Sequence, residues 1–288
     1  MSDSPDEQDR PSIGGSKGAS KARTLYPIFQ RESDTVLGIA GAIAASLDTQ
    51  LLIGEVETGT DTASYETTRD VAETVLRARE HVAIDADVLG HSLTGPTPIE
   101  AIDTAATMFH VNIIVLGNDT SEQLEGLIAK RTGCDTVVVN GRFQRESVAS
   151  ILVPIAGGPH SGAAVNVASA VAAANDARLE LVHILETTDS GAGREEAAEL
   201  LETGAARVPE SIDVDTRIID EDDVTSEIID ESDHHDLTVI GAPRKGTLRR
   251  LIFGSKAAEI REQARNTVVM ARKGSDPERS LFAGPLDR

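Results

Sequence analysis

The stretch of this chain best equipped for chemistry is Gly241–Lys256, GAPRKGTLRRLIFGSK. Gly241 lets the backbone leave a preceding apolar run with no Cβ in the way, and Gly246 keeps the middle of the loop open to close approach. Gly254 and Ser255 stand where the next helical pattern begins, so free backbone N–H groups and a hydroxyl can face an anion. Arg244, Lys245, Arg249, Arg250 and Lys256 put five positive charges within 13 residues of an otherwise acidic chain. Together these residues make a phosphate cradle. The competing reading is a glycine-rich turn whose cations pair with nearby carboxylates, and local chemistry leaves both open.

Other clusters carry less. His234 and His235 lie in ESDHHD (Glu231–Asp236), where adjacent side chains of an extended chain point apart, so the segment reads as a solvated turn. His160 and His183 flank the ends of two apolar runs, in place to line a crevice between them. Ser255 has no base legible in the sequence and reads as a helix cap rather than a nucleophile. The single cysteine, Cys134, excludes disulfide frameworks and cysteine metal sites, and its Gly-Cys-Asp turn predicts an inert thiol. AGGPHS, Ala156–Ser161, resembles the SGGxDS loop of ATP pyrophosphatases but lacks the first Ser and has His160 at the Asp position. The Gly241–Gly246 spacing matches a P-loop without its Lys-Ser/Thr pair. No catalytic residue and no metal site is expected, and the chain reads as a non-enzyme.

These residues must be positioned by elements, and the periodicities alternate. Ile151–Ile155 is a continuous apolar run of strand length, as in a parallel strand covered on both faces. Ser161 is placed to cap a helix with Ala164, Val165, Ala168, Val171 and Ala172 on one stripe. Strands follow at Arg178–Leu185, Asp215–Ile219, Leu237–Ile240 and Thr267–Met270, with helices at Glu195–Arg207, Ser226–Ser232 and Ser255–Ala264 between them. An earlier helix begins at Thr97, with Pro98 in its first turn and Glu100 closing a capping box. Such alternation predicts an α/β fold: an open parallel sheet with helices on both faces.

The pattern occurs twice. LYPIF (Leu25–Phe29) matches LVPIA (Leu152–Ala156), IEAID (Ile99–Asp103) matches SEIID (Ser226–Asp230), and NIIVLG (Asn112–Gly117) matches LTVIG (Leu237–Gly241). TVVV (Thr136–Val139) and TVVM (Thr267–Met270) close the two copies. The reading is a tandem duplication of a doubly wound, five-stranded unit, at residues 23–143 and 147–273, between a disordered leader (1–22) and a tail (274–288). In that tail Leu281 and Phe282 are apolar enough to dock. The β-branched last strands predict that the two copies pair with each other.

Here the second copy resembles the universal stress protein family, whose nucleotide loop reads Gly, two residues, Gly, nine residues, Gly-Ser. Gly241, Gly254 and Ser255 fall in place, and Arg244 stands where the second Gly would be. The strand start, ILVPIAGGPHS, is similar to the family's VPVDGS, with Pro154 aligned and Ala156 in place of the Asp that contacts adenine or ribose. The resemblance implies a Rossmann-like, adenine-nucleotide alpha-hydrolase-like fold and a stress-response role. It implies weak ATP or AMP binding through Pro154, Ala156, Gly241, Arg244, Gly246, Gly254, Ser255 and Lys256. The alternative it implies is a ligand-free regulatory module, acting beside a membrane transporter as some relatives do. Tandem members also form homodimers. In the first copy Gly126 and Gly133 miss the spacing, and Glu122 and Glu125 place negative charge where phosphate would sit.

Composition sets the outer limits. The 288 residues carry 48 Asp+Glu against 27 Lys+Arg, a formal charge of −21, with only 2% aromatics. Both features count against nucleic acid as a partner, which needs phosphate-neutralising cations and stacking faces. No apolar stretch is long enough to span a bilayer and none begins the chain as a signal peptide, so a cytoplasmic protein is expected. The acid is spread along the whole chain and Lys is scarce, which fits a salt-rich cytoplasm that screens self-repulsion. On that expectation the chain unfolds when salt is removed and is stable in molar KCl. Thermal melting across a KCl series checks this, and a salt-independent midpoint refutes it.

Overall fold

The computed structural model describes residues 21–59, 65–81, 87–141, 148–186, 191–243, 255–282 and 286. Its first half runs β1 (Arg23–Ile28), α1 (Asp34–Ser46), β2 (Gln50–Thr58), α2 (Tyr65–His81), β3 (Val88–Gly95), α3 (Pro98–Met108), β4 (Val111–Leu116), α4 (Glu122–Thr132) and β5 (Asp135–Asn140). The second runs β6 (Ser150–Pro154), α5 (Pro159–Asn175), β7 (Arg178–Leu185), α6 (Gly191–Ala205), β8 (Val214–Asp220), α7 (Val224–Ser232), β9 (Leu237–Gly241), α8 (Ser255–Gln263) and β10 (Thr267–Arg272). The fold is α/β, as the alternating periodicities predict.

The strands form one sheet in the order β3-β2-β1-β4-β5-β10-β9-β6-β7-β8, which reads the same way inward from either edge. Eight of the pairings are parallel and one, β5 with β10, is antiparallel. At that junction Val268 faces Asn140, Met270 faces Val138 and Arg272 faces Thr136. Period-two alternation then sends Val137, Val139, Val269 and Ala271 to one side of the sheet, and Val138, Val268 and Met270 to the other. Each face thus has one core shared by both halves. The first is covered chiefly by α1 and α5, whose many Ala residues let them pack closely across the junction. On the opposite face α3 packs on α4 and α7 on α8.

Local signals act where the sequence places them. Thr97 caps α3 by accepting the Glu100 N–H, with Pro98 at the first helical position. Ser33 caps α1 in the same way. The Ser161 expectation is corrected: α5 begins two residues earlier, at Pro159, with Gly158 as its cap. The Ser161 hydroxyl instead accepts the Ala156 N–H (3.3 Å) and donates to the Gly157 carbonyl (2.9 Å). A side chain within the first turn of a helix faces back over the preceding loop, and here it closes that loop.

Beyond β10 the chain folds back onto the first half. The Asp135 carboxylate, wholly buried at the start of β5, accepts N–H groups from Gly274 (2.6 Å), Leu281 (2.7 Å) and Phe282 (2.9 Å). It also accepts the Ser280 hydroxyl (2.8 Å). Burial raises this carboxyl above its usual range while the four donors pull it down. Gly133, which misses any nucleotide-loop spacing, is the left-handed C-cap of α4, and a Cβ there would lie 2.9 Å from the Asp276 side chain. Among the described residues no helix is long and apolar enough to cross a membrane. Asp135→Asn swaps one acceptor oxygen for an NH2 that faces donors, so it is expected to cost about 1–3 kcal/mol. Urea unfolding measures this; an unchanged midpoint would show that these bonds do not hold the segment.

Candidate functional site

In an open α/β sheet, ligands sit outside the carboxyl ends of the strands where the strand order reverses. In the second half that point lies between β6 and β9, because β6 pairs with β9 on one side and β7 on the other. Gly241 ends β9 at this place. A Cβ on it would lie 2.7 Å from the carbonyl of His160 and 2.9 Å from the Ser161 nitrogen, so the first turn of α5 sits directly on the glycine. This close approach, more than loop flexibility, is what demands glycine.

The chain leaving β6 makes the other wall. Pro154 ends the strand half-buried, opposite Val182 of β7. Ala156 is exposed at the lip, and Gly157 and Gly158 both take φ of +84°, a backbone region costly for any side chain. His183 bonds the Ile155 carbonyl through Nδ1 (2.7 Å). The Lys273 N–H donates to His160 Nδ1 (3.1 Å), tying α5 to the end of β10. Both histidines border the crevice, as their positions in the sequence predict, but each is engaged in holding its wall. Arg244, Gly246 and Gly254 lie outside the described residues, and Ser255 and Lys256 open α8. Of the expected cradle, the structure therefore brings together Pro154, Ala156 and Gly241.

The corresponding crevice of the first half, between β1 and β4, is acidic and bonded to itself. Glu32 accepts the Thr74 hydroxyl (2.7 Å) and pairs with Arg77. Asp119 accepts the Gln30 N–H (3.4 Å), and the Tyr26 hydroxyl accepts that of Ser33 (2.9 Å). Burial raises the Tyr26 phenol, and the Asp119, Glu32 and Asp34 charges add to it.

Glu125 departs from the sequence expectation. Rather than standing at a phosphate position, it is buried on the inner side of α4 and holds Arg261 of α8 in a two-pronged bond (3.0 and 3.1 Å). Its carboxyl is raised by desolvation, with Arg261 pulling it back down. Glu122 lies further out, 3.9 Å from the same guanidinium. The groove around this pair, lined also by Pro243, Met270 and Arg272, encloses about 40 Å3, far too little for a nucleotide. It is a joint between the halves. Its only sequence signal was a pair of acids one helical turn apart, which reads equally well as a solvated face.

Elsewhere, Cys134 is fully buried with its thiol on the Val111 carbonyl (3.2 Å), and burial pushes the thiol pKa up. His235 also departs from expectation. It is buried, bonding the Glu231 carbonyl and Glu180 (both 3.0 Å), so that part of ESDHHD is packed structure rather than solvated turn. Among the described residues no cluster of His, Cys, Asp or Glu has the form of a metal site.

Residues 148–272 match the model of the Universal stress protein family, so the second half carries a domain of that family. Among solved structures, a universal stress protein from Archaeoglobus fulgidus aligns over 88% of this chain and 98% of its own, with 14% identity and a TM-score of 0.57. The cytoplasmic domain of a prokaryotic cation chloride cotransporter aligns over 87% and 95%, with 13% identity and a TM-score of 0.55. At such identity these two share the fold. A search among curated proteins finds no match.

Removing one partner of the buried joint strands a charge, whereas removing both does not. Glu125→Leu is therefore expected to cost about 3 kcal/mol, most of it recovered in Glu125→Leu with Arg261→Met. Urea unfolding of these two variants and of Arg261→Met alone gives the coupling, and simple additivity would refute a buried joint.

Proposed function

We propose that this protein is a non-catalytic regulator built from two copies of the universal stress fold, binding an adenine nucleotide only in the second copy. The observation that carries this reading is the crevice at the β6–β9 reversal, where Gly241 seats the α5 terminus beside a glycine loop. That crevice lies within the residues that match the family. Arg244, Gly254, Ser255 and Lys256 supply donors and charge for the phosphates. The first copy serves as a structural partner: its crevice is lined by Glu32 and Asp119, which repel phosphate, and its α4 is committed to the joint. His183 and His160 each commit Nδ1 to a backbone group of the crevice wall.

A second reading, a ligand-free regulatory module beside a membrane transporter, has two observations in its favour. Ala156 offers no carboxylate to a ribose, and the cotransporter's cytoplasmic domain shares the fold. Calorimetry with ATP and AMP on the whole chain separates the two. The nucleotide reading expects micromolar or weaker binding, lowered at least tenfold by Gly254→Val with Ser255→Ala. Ala156→Asp should tighten it about tenfold or more, since one restored hydrogen bond to a charged group contributes about 1.5–3 kcal/mol. No binding at millimolar nucleotide by any of the three favours the module.

A further inference from the structure

The segment after β10 ends on the crevice itself. Gly274 lies against the α4–β5 turn so closely that a Cβ would stand 2.3 Å from the Gly133 carbonyl oxygen. Asn112 then donates to the Arg279 carbonyl (2.8 Å), and Asp135 holds Ser280, Leu281 and Phe282. Phe282 is 1% exposed and Leu286 5%. At its far end the Leu286 carbonyl accepts the N–H of Gly158, the residue that caps α5 (3.0 Å). The Leu286 side chain reaches α6, within 4.0 Å of where a Cβ of Gly204 would stand. Because β5 and β10 run antiparallel, the amino ends of β4 and β5 and the carboxyl ends of β6, β9 and β10 share one edge of the sheet. Gly274, Phe282 and Leu286 lie along that edge.

We propose that this C-terminal segment, through Gly274–Phe282 and Leu286, is an internal occupant of the second-half crevice and competes with its ligand. The inference rests on reading that crevice as a nucleotide site. The Leu286 carbonyl takes the N–H of the Gly158 cap, a donor at a helix terminus of the kind that binds anions, and the Leu286 side chain is buried beside α6. The two ends differ in strength. Among the described residues, Asp135 makes four bonds to a buried anchor, while Leu286 makes one backbone bond and buries one apolar side chain, so Leu286 can lift while the anchor stays. Affinity then falls by the fraction of molecules in which the end has lifted, and ligand binding in turn favours the lifted form.

The test uses the whole chain and Phe282→Ala with Leu286→Ala, comparing ATP calorimetry and amide exchange at Gly157, Gly158 and His160. Expected are at least tenfold faster exchange at these amides and at least tenfold tighter ATP binding. Measurable ATP affinity that is equal in the two chains overturns the proposal. If neither chain binds ATP at millimolar concentration, the nucleotide reading fails and exchange alone decides. Faster exchange at Gly158 then supports the segment as the cover of this crevice, and unchanged exchange overturns it. Should the double variant not fold, Leu286→Ala alone, at the far end of the segment, gives the same comparison.

Discussion

Everything distinctive about this molecule depends on the antiparallel pairing of β5 with β10. Each strand closes a five-stranded half, and each would otherwise present a β-branched edge open to other chains. Their pairing joins ten strands into one sheet and leaves β3 and β8 as its outer edges. Apart from Leu89 of β3, the exposed positions of those strands are polar or small: Asp215, Thr216, Arg217 and Asp220 in β8, Gly90, His91 and Thr94 in β3. The join also gives the halves common cores, so α1 and α5 pack on one face across it and α4 meets α8 on the other.

The same pairing sets the chemistry of one edge. Antiparallel halves bring the amino ends of the first half's inner strands to the carboxyl ends of the second half's. Asp135, an acid that opens a buried strand, therefore meets the chain as it leaves β10, and four donors make its burial tolerable. Glu125 and Arg261 are the counterpart on a helical face, one charge from each half. In both places a carboxylate of the first half is satisfied by the second.

In the crevice of the second half, packing and backbone conformation already account for the glycines. Gly241 is demanded by helix packing, and Gly157 and Gly158 by backbone conformation, before any ligand is considered. Ser161, an apparent cap, closes the loop instead. A glycine pattern of this kind reports a close backbone approach, and a phosphate is only one of the things that can make that approach.

The sequence by itself determined the α/β class and the alternating order of strands and helices. Those follow from short-range physics: apolar runs of strand length, helical stripes, a Thr97 cap and glycines at strand ends. What only the tertiary structure decided are the partners of buried polar groups. Glu125 reads as a charge at a phosphate position until Arg261, 136 residues later, is brought to it, and Asp135 reads as a turn residue until the chain returns 139 residues on. Leu281 and Phe282 announce that something docks, but not where. Periodicity is set by neighbours along the chain, whereas the satisfaction of a buried charge or carbonyl depends on contacts that exist only once the halves have closed on each other.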